Sequence, residues 1–131
     1  MRIKLGFCHI LLTLLAFTSQ AHAQQYVEVF VTSELYTGNL GGLSGADALT
    51  QSLIRHGVDT IFCLPGAQLD FLFDAFHKEK DRLRIIHTRH EQGAGYMATG
   101  YAHSTGKVGV AVVVPGPGIF NVGAAICSAH S

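Results

Sequence analysis

Charge is scarce in this chain: nine basic and nine acidic residues in 131, with a formal net charge of zero and a pI near 7.1. No net field therefore draws it to nucleic acid or to an anionic membrane. Cysteine is scarce as well. Cys8, Cys63 and Cys127 stand far apart in no CxxC or CxxH arrangement, so no zinc site or dithiol redox motif can be read from them. Cys63 and Cys127 read as buried, inert thiols, with an export-dependent disulfide as the alternative. There is no internal repeat, no low-complexity tract and no Gly-Lys-[Ser/Thr], which excludes a phosphate-binding P-loop. Acidic residues stop altogether at Glu91, for Gln92 to Ser131 contains no Asp or Glu.

What is present is apolar. Hydrophobic residues make up 48% of the chain and charged residues 14%, which implies a buried core within a single domain. Residues 1–23 follow their own logic. Arg2 and Lys4 give a positive start, Leu5 to Phe17 is an apolar run too short to span a bilayer comfortably, and Ala21-His22-Ala23 places small residues where a signal peptidase inspects. A signal-peptide-like segment is expected there, giving a secreted or periplasmic chain with no membrane attachment once it is cleaved. If the signal is not real, the chain belongs in the cytoplasm. Residues 24–43 read as a linker that includes one optional short strand, Tyr26 to Val31.

From Ser44 the pattern becomes regular. Ser44 and Asp47 form a capping-box-like start, and Ala48, Leu49, Leu53 and Ile54 recur at helical spacing until Gly57. Thr60 to Leu64 is an apolar strand stopped by Pro65-Gly66. Leu69, Leu72, Phe73 and Phe76 mark a second helix. Leu83 to His87 is the next strand, Glu91 to His103 a helix, Val108 to Val114 a valine-rich strand closed by Pro115-Gly116-Pro117-Gly118, and Ile119 to Ala129 a last helix. Strands that are apolar on both faces and alternate with helices predict an α/β fold, a parallel sheet with helices on both faces.

In such sheets ligands sit at the carboxyl ends of the strands. Pro65-Gly66, Glu91 and Gly116-Pro117-Gly118 all fall just past such ends, so the site is expected on that edge. Glu91 is a lone carboxylate at a strand-to-helix junction beside a surface of glycine and alanine, a candidate proton-handling group. A carboxylate in a first helical turn is also favoured by the dipole alone, by about 0.3–1 kcal/mol. Gly93-Ala94-Gly95-Tyr96-Met97-Ala98 satisfies G-x-G-x-x-[GA], but His90, Glu91 and Gln92 separate it from the strand and no acid follows to hold a ribose. Gly116-Pro117-Gly118 fails the same pattern, with Asn121 in place of the third glycine. His87 and His90 would not share a helical face, which disfavours a metal site, and His87 reads as a core or edge histidine. Ser128 and His130 have no matching acid for a hydrolase triad.

The ordered series Ser44-Gly45-Ala46-Asp47-Ala48-Leu49, Gly57-Val58, Ile61-Phe62-Cys63-Leu64-Pro65-Gly66, Arg89-His90-Glu91-Gln92-Gly93-Ala94, Gly100-Tyr101-Ala102, Thr105-Gly106-Lys107-Val108-Gly109 and Gly116-Pro117-Gly118 resembles a known family. It is similar to the amino-terminal, pyrimidine-binding domain of thiamine-diphosphate-dependent enzymes, in the group of acetolactate synthase, pyruvate oxidase and benzoylformate decarboxylase. The likeness runs over residues 44–131. It implies a Rossmann-like thiamine-diphosphate-binding fold, incomplete here, and chemistry on 2-oxo acids by decarboxylation or carboligation. In this family a glutamate hydrogen-bonded to ring nitrogen N1′ of the aminopyrimidine stabilises the imino tautomer that takes the C2 proton. The resemblance assigns that catalytic role to Glu91. It assigns cofactor-binding positions to Pro65 and Gly66 beside the aminopyrimidine, and to Gly116 and Gly118 before the last helix.

The same resemblance implies parts this sequence does not carry. The diphosphate and its magnesium belong to a Gly-Asp-Gly…Asn motif in another domain, and no Gly-Asp-Gly occurs here. The family's cofactor also lies between two subunits, so a second subunit or complementing chain is expected. FAD occurs in the family, though nothing in this sequence indicates it. The expectation is therefore a fragment carrying the aminopyrimidine half-site and inactive alone. The alternative is an exported, non-catalytic remnant acting only through protein contacts.

Overall fold

The structure is a computed structural model that describes the backbone of residues 27–31 and the whole of residues 44–130. The signal-like segment, and the linker apart from those five residues, lie outside the described residues. Four strands, β1 (Val27–Val31), β2 (Thr60–Cys63), β3 (Arg84–His87) and β4 (Gly109–Val113), alternate with four helices, α1 (Gly45–Arg55), α2 (Asp70–Lys78), α3 (Glu91–Thr105) and α4 (Pro117–His130). All pairings are parallel and the spatial order is β1-β4-β2-β3. The optional strand of the linker region is thus β1, seated against β4 with Val27 opposite Gly109 and Val31 opposite Val113.

The two-residue period of the strands sorts side chains between two layers. Ile61, Cys63, Val110 and Val112 point into one apolar cluster with Leu53, Leu69, Leu72 and Phe76 from the α1–α2 side. Phe62 and Ala111 point the other way, onto Ala94 and Ala98 of α3, while Val113 meets Val122 and Ala125 of α4. Leu69, Leu72 and Phe76 are fully buried, each contributing on the order of 1.5–3 kcal/mol. β3 departs from the expectation of strands covered on both faces: Arg84 and His87 are exposed, and Ile85 and Ile86 only half-buried. Its place at the edge of the sheet explains this, since among the described residues β3 has a neighbouring strand on one side only.

Local signals set the boundaries. Ser44 caps α1 through its hydroxyl, which accepts from the Asp47 amide at 3.0 Å, and the Asp47 carboxylate accepts from the Ser44 amide at 3.3 Å. Gly57 past the end of α1 and Gly106 past the end of α3 have φ of +80° and +71°, the left-handed conformation that lets a helix stop. The last helix begins at Pro117, two residues earlier than its apolar pattern. Proline at a first helical position loses no hydrogen bond, and Gly116 at φ +73° turns the chain into it. α3 approaches the sheet closely because its buried face is Ala94, Ala98 and Ala102. A Cβ on Gly109 of β4 would collide with the carbonyl of Ala98.

Candidate functional site

β2, β3 and β4 deliver three loops to one edge, and hydrogen bonds lock them together. Leaving β2, the Leu64 amide donates to the Val112 carbonyl of β4 at 3.2 Å. Leaving β3, the Thr88 amide donates to the Cys63 carbonyl at 2.8 Å, and its hydroxyl lies 3.2 Å from the same oxygen and 2.9 Å from the His90 carbonyl. His90 then caps α3, its Nδ1 accepting from the Gln92 amide at 3.1 Å. These bonds fix the position of the next residue, Glu91.

Glu91 is buried, with 6% of its surface exposed. A buried carboxyl needs partners. One oxygen, Oε2, accepts from Nδ2 of Asn121 on α4 at 3.0 Å. Among the described residues Oε1 has no hydrogen-bond partner. By the described residues the carboxyl is therefore half satisfied, with one oxygen unpartnered among them.

Gly66 and Gly118 converge on the same side chain. A Cβ on Gly66 would run into Cγ1 of Val114, and one on Gly118 would lie 3.1 Å from Val114 Cγ2 and 3.3 Å from Val113 Cβ. These two positions bring the β2 and β4 exits into contact. Gly116 serves differently: nothing lies within 4 Å of its Cβ position, and only its positive φ calls for glycine. Pro65 is exposed beside the β2 exit.

The floor of this edge is dry. Cys63, last residue of β2, is fully buried, and its Sγ lies 3.7 Å from the Ile86 carbonyl. Burial pushes its thiol up to about 12, so it stays protonated. Cys127, expected to be buried too, is exposed, because it lies off the Gly118, Val122 and Ala125 face that α4 buries. His87 lies at the sheet edge, its ring in an edge-on contact with Phe73 at 5.9 Å. Among the described residues no group of three or more His, Cys, Asp or Glu could hold a metal ion.

Asn121 was missed by sequence reasoning, which noticed it only as a residue that spoils a glycine pattern. A signal was available. Between Val108 and Ile126 it is the sole polar side chain, in a stretch otherwise made of apolar residues, glycine and proline.

The family description "Thiamine pyrophosphate enzyme, N-terminal TPP binding domain" matches residues 43–131. This chain belongs to that family. Its similarity to individual proteins is also high. It is 43% identical over 81 residues to the mitochondrial acetolactate synthase catalytic subunit of Saccharomyces cerevisiae, covering 62% of this chain and 12% of that protein. It is 48% identical over 80 residues to an acetolactate synthase large subunit of Mycobacterium tuberculosis, 61% of this chain and 13% of that one. A probable 2-ketoarginine decarboxylase of Pseudomonas aeruginosa is 44% identical over 89 residues, 68% of this chain and 16% of the relative. The chain therefore spans between 12% and 16% of the length of these relatives.

For a thiamine pyrophosphate enzyme the donor set at this edge fits the aminopyrimidine. A flat heterocycle with a basic ring nitrogen matches a buried carboxyl that has one unused oxygen, and the corners at Gly66 and Gly118 keep the backbone bare of side chains. Thiamine-diphosphate binding is thus the family's property, and the expected parallel α/β fold is the one observed.

Proposed function

We propose that this chain supplies the aminopyrimidine half-site of a thiamine-diphosphate enzyme of the acetolactate synthase type, acting on 2-oxo acids. The carrying observation is Glu91, buried, held at Oε2 by Asn121 and unpartnered at Oε1 among the described residues. Bound thiamine diphosphate supplies a nucleophilic carbon and an electron sink. Glu91 would hold a proton at Oε1 and share it with ring nitrogen N1′. Buried, it exchanges that proton with the ring nitrogen rather than with bulk water. Gly66 and Gly118, with Pro65 and Gly116 shaping their turns, would give the heterocycle a flat seat and exclude solvent.

The diphosphate and its magnesium would be held elsewhere, by a second subunit or complementing chain. Two observations support this division. No Gly-Asp-Gly occurs in the sequence, and Phe120 next to Asn121 is 84% exposed, with Tyr96 and Met97 of α3 also open to solvent. A large aromatic left in water beside a half-built site is consistent with a covering partner. Residues 44–131 would then supply the aminopyrimidine side alone and bind thiamine diphosphate weakly without the other half.

Isothermal titration with thiamine diphosphate and magnesium tests the reading, with and without a complementing chain that carries the diphosphate half. Weak heat alone and strong heat with the complement are expected, both reduced in Glu91→Gln. Equal heats for Glu91→Gln and the wild type under both conditions would remove Glu91 from the site. A second reading, an exported remnant acting through protein contacts, rests on the signal-like segment and the same exposed Phe120. Strong binding to other proteins without any response to thiamine diphosphate would favour it.

A further inference from the structure

The bond between Asn121 and Glu91 has a direction. An amide Nδ2 only donates, so the oxygen it faces must accept. A carboxyl proton on Oε2 would make that oxygen a poorer acceptor for the Asn121 amide at 3.0 Å. A proton on Glu91 is thereby favoured on Oε1. We propose that Asn121 is the positioning residue of the site: it engages Oε2 so that Glu91 carries and offers its proton from Oε1. This rests on the aminopyrimidine reading and adds to it the device that aims the acid.

The placement of Asn121 argues for this task rather than for stability. It lies in a helix whose core-facing residues are Gly118, Val122 and Ala125, and is itself exposed. Asparagine is a poorer helix former than alanine. A side chain chosen only to hold α4 together would not be asparagine there. Its bond ties residues thirty positions apart, and it couples the acid to the Gly116-Pro117-Gly118 turn. The register of α4 thus sets where Oε1 points.

Two nuclear magnetic resonance measurements on the purified chain test this. In the ligand-free protein, the side-chain amide protons of Asn121 should follow the ionisation of Glu91 across a pH titration, and Glu91→Gln should abolish that response. An Asn121 amide that ignores Glu91 overturns the proposal. The second probe is free thiamine labelled with nitrogen-15 at N1′. Wild-type protein should shift the N1′ signal, while Asn121→Ala and the near-isosteric Asn121→Asp should bind roughly tenfold more weakly and lose most of the shift. Variants that bind thiamine and move N1′ as the wild type does overturn the role of Asn121 while leaving Glu91 in place. A wild type that leaves N1′ unmoved at saturating thiamine overturns the aminopyrimidine reading, and the positioning role with it.

Discussion

At the amino ends of the strands, charges are closed on one another; at the carboxyl ends, one is left open. Asp59, just before β2, accepts from the Tyr101 hydroxyl at 2.5 Å and from the Lys107 ammonium at 2.5 Å, joining the starts of β2 and β4 to the far end of α3. Both oxygens of Asp59 have a partner in that clamp, and Lys107 and Asp59 are open to solvent. On the opposite edge Glu91 is buried, with a single partner and one oxygen unused among the described residues. The first arrangement holds elements in register. The second keeps a buried oxygen unsatisfied, a cost that a stability device would avoid and a binding site requires. The comparison separates residues that build this domain from those that serve its chemistry.

The largest effect expected from this contrast concerns Cys63, in the dry floor beneath the open edge. With its thiol pushed up to about 12 by burial, against an ordinary 9.0, its thiolate should be about a thousandfold scarcer than that of an unperturbed thiol near pH 8. Iodoacetamide in native buffer should leave Cys63 unlabelled while modifying the exposed Cys127. Denaturant should then expose it. Mass spectrometry of the two digests reads the outcome, and rapid native labelling of Cys63 would mean that water reaches the floor of the site.

Next come the close approaches, where the two edges should again part. At Gly109 an added methyl meets the backbone carbonyl of Ala98, which cannot move without shifting α3. Gly109→Ala should cost more than about 3 kcal/mol and leave little folded protein. At Gly66 the obstacle is a side-chain methyl of Val114, which can change rotamer. Gly66→Ala should cost clearly less, on the order of 1–2 kcal/mol, yet reduce thiamine binding by narrowing the corner. Thermal unfolding and thiamine titration of both variants measure the split. Equal stability loss at the two positions would erase the distinction drawn between the edges.

Much of this was legible because local rules and the global fold agree. Alternation of apolar strands with glycine-terminated helices pointed to the parallel sheet, and Glu91 stood out as the last acid in the sequence. What stayed hidden was pairing between distant positions. Nothing in the spacing of Asp59, Tyr101 and Lys107 announces that they meet, since they lie 42 and 48 residues apart. The same holds for Asn121 and Glu91. The exposed flank of β3 was hidden for a related reason: Leu83 to His87 reads as apolar, and only the strand order reveals that it is an edge. Periodicity reports which face is buried; it does not report which neighbour does the burying.

The smallest effect belongs to the closed clamp, and its pH dependence has a definite sign. The hydrogen bond from Lys107, then that from Tyr101, holds the Asp59 carboxyl below its ordinary 3.8, and the same contact with Asp59 raises Lys107 above its ordinary 10.5. A depressed carboxylate stabilises the fold above its unfolded value and loses that contribution as pH falls through the folded one. A raised amine does the reverse, stabilising below 10.5 and losing it as pH climbs through its folded value. The clamp is therefore intact across the neutral range and opens at both extremes. Side-chain exposures of 55% for Lys107 and 41% for Asp59 mean strong solvent screening. Asp59→Asn should accordingly lower the melting temperature at neutral pH by a few degrees at most. The difference from wild type should shrink in acid and in molar salt. A difference that persists unchanged in acid or in salt would show that Asp59 acts by packing and not by charge, and the amino edge would no longer be an electrostatic clasp.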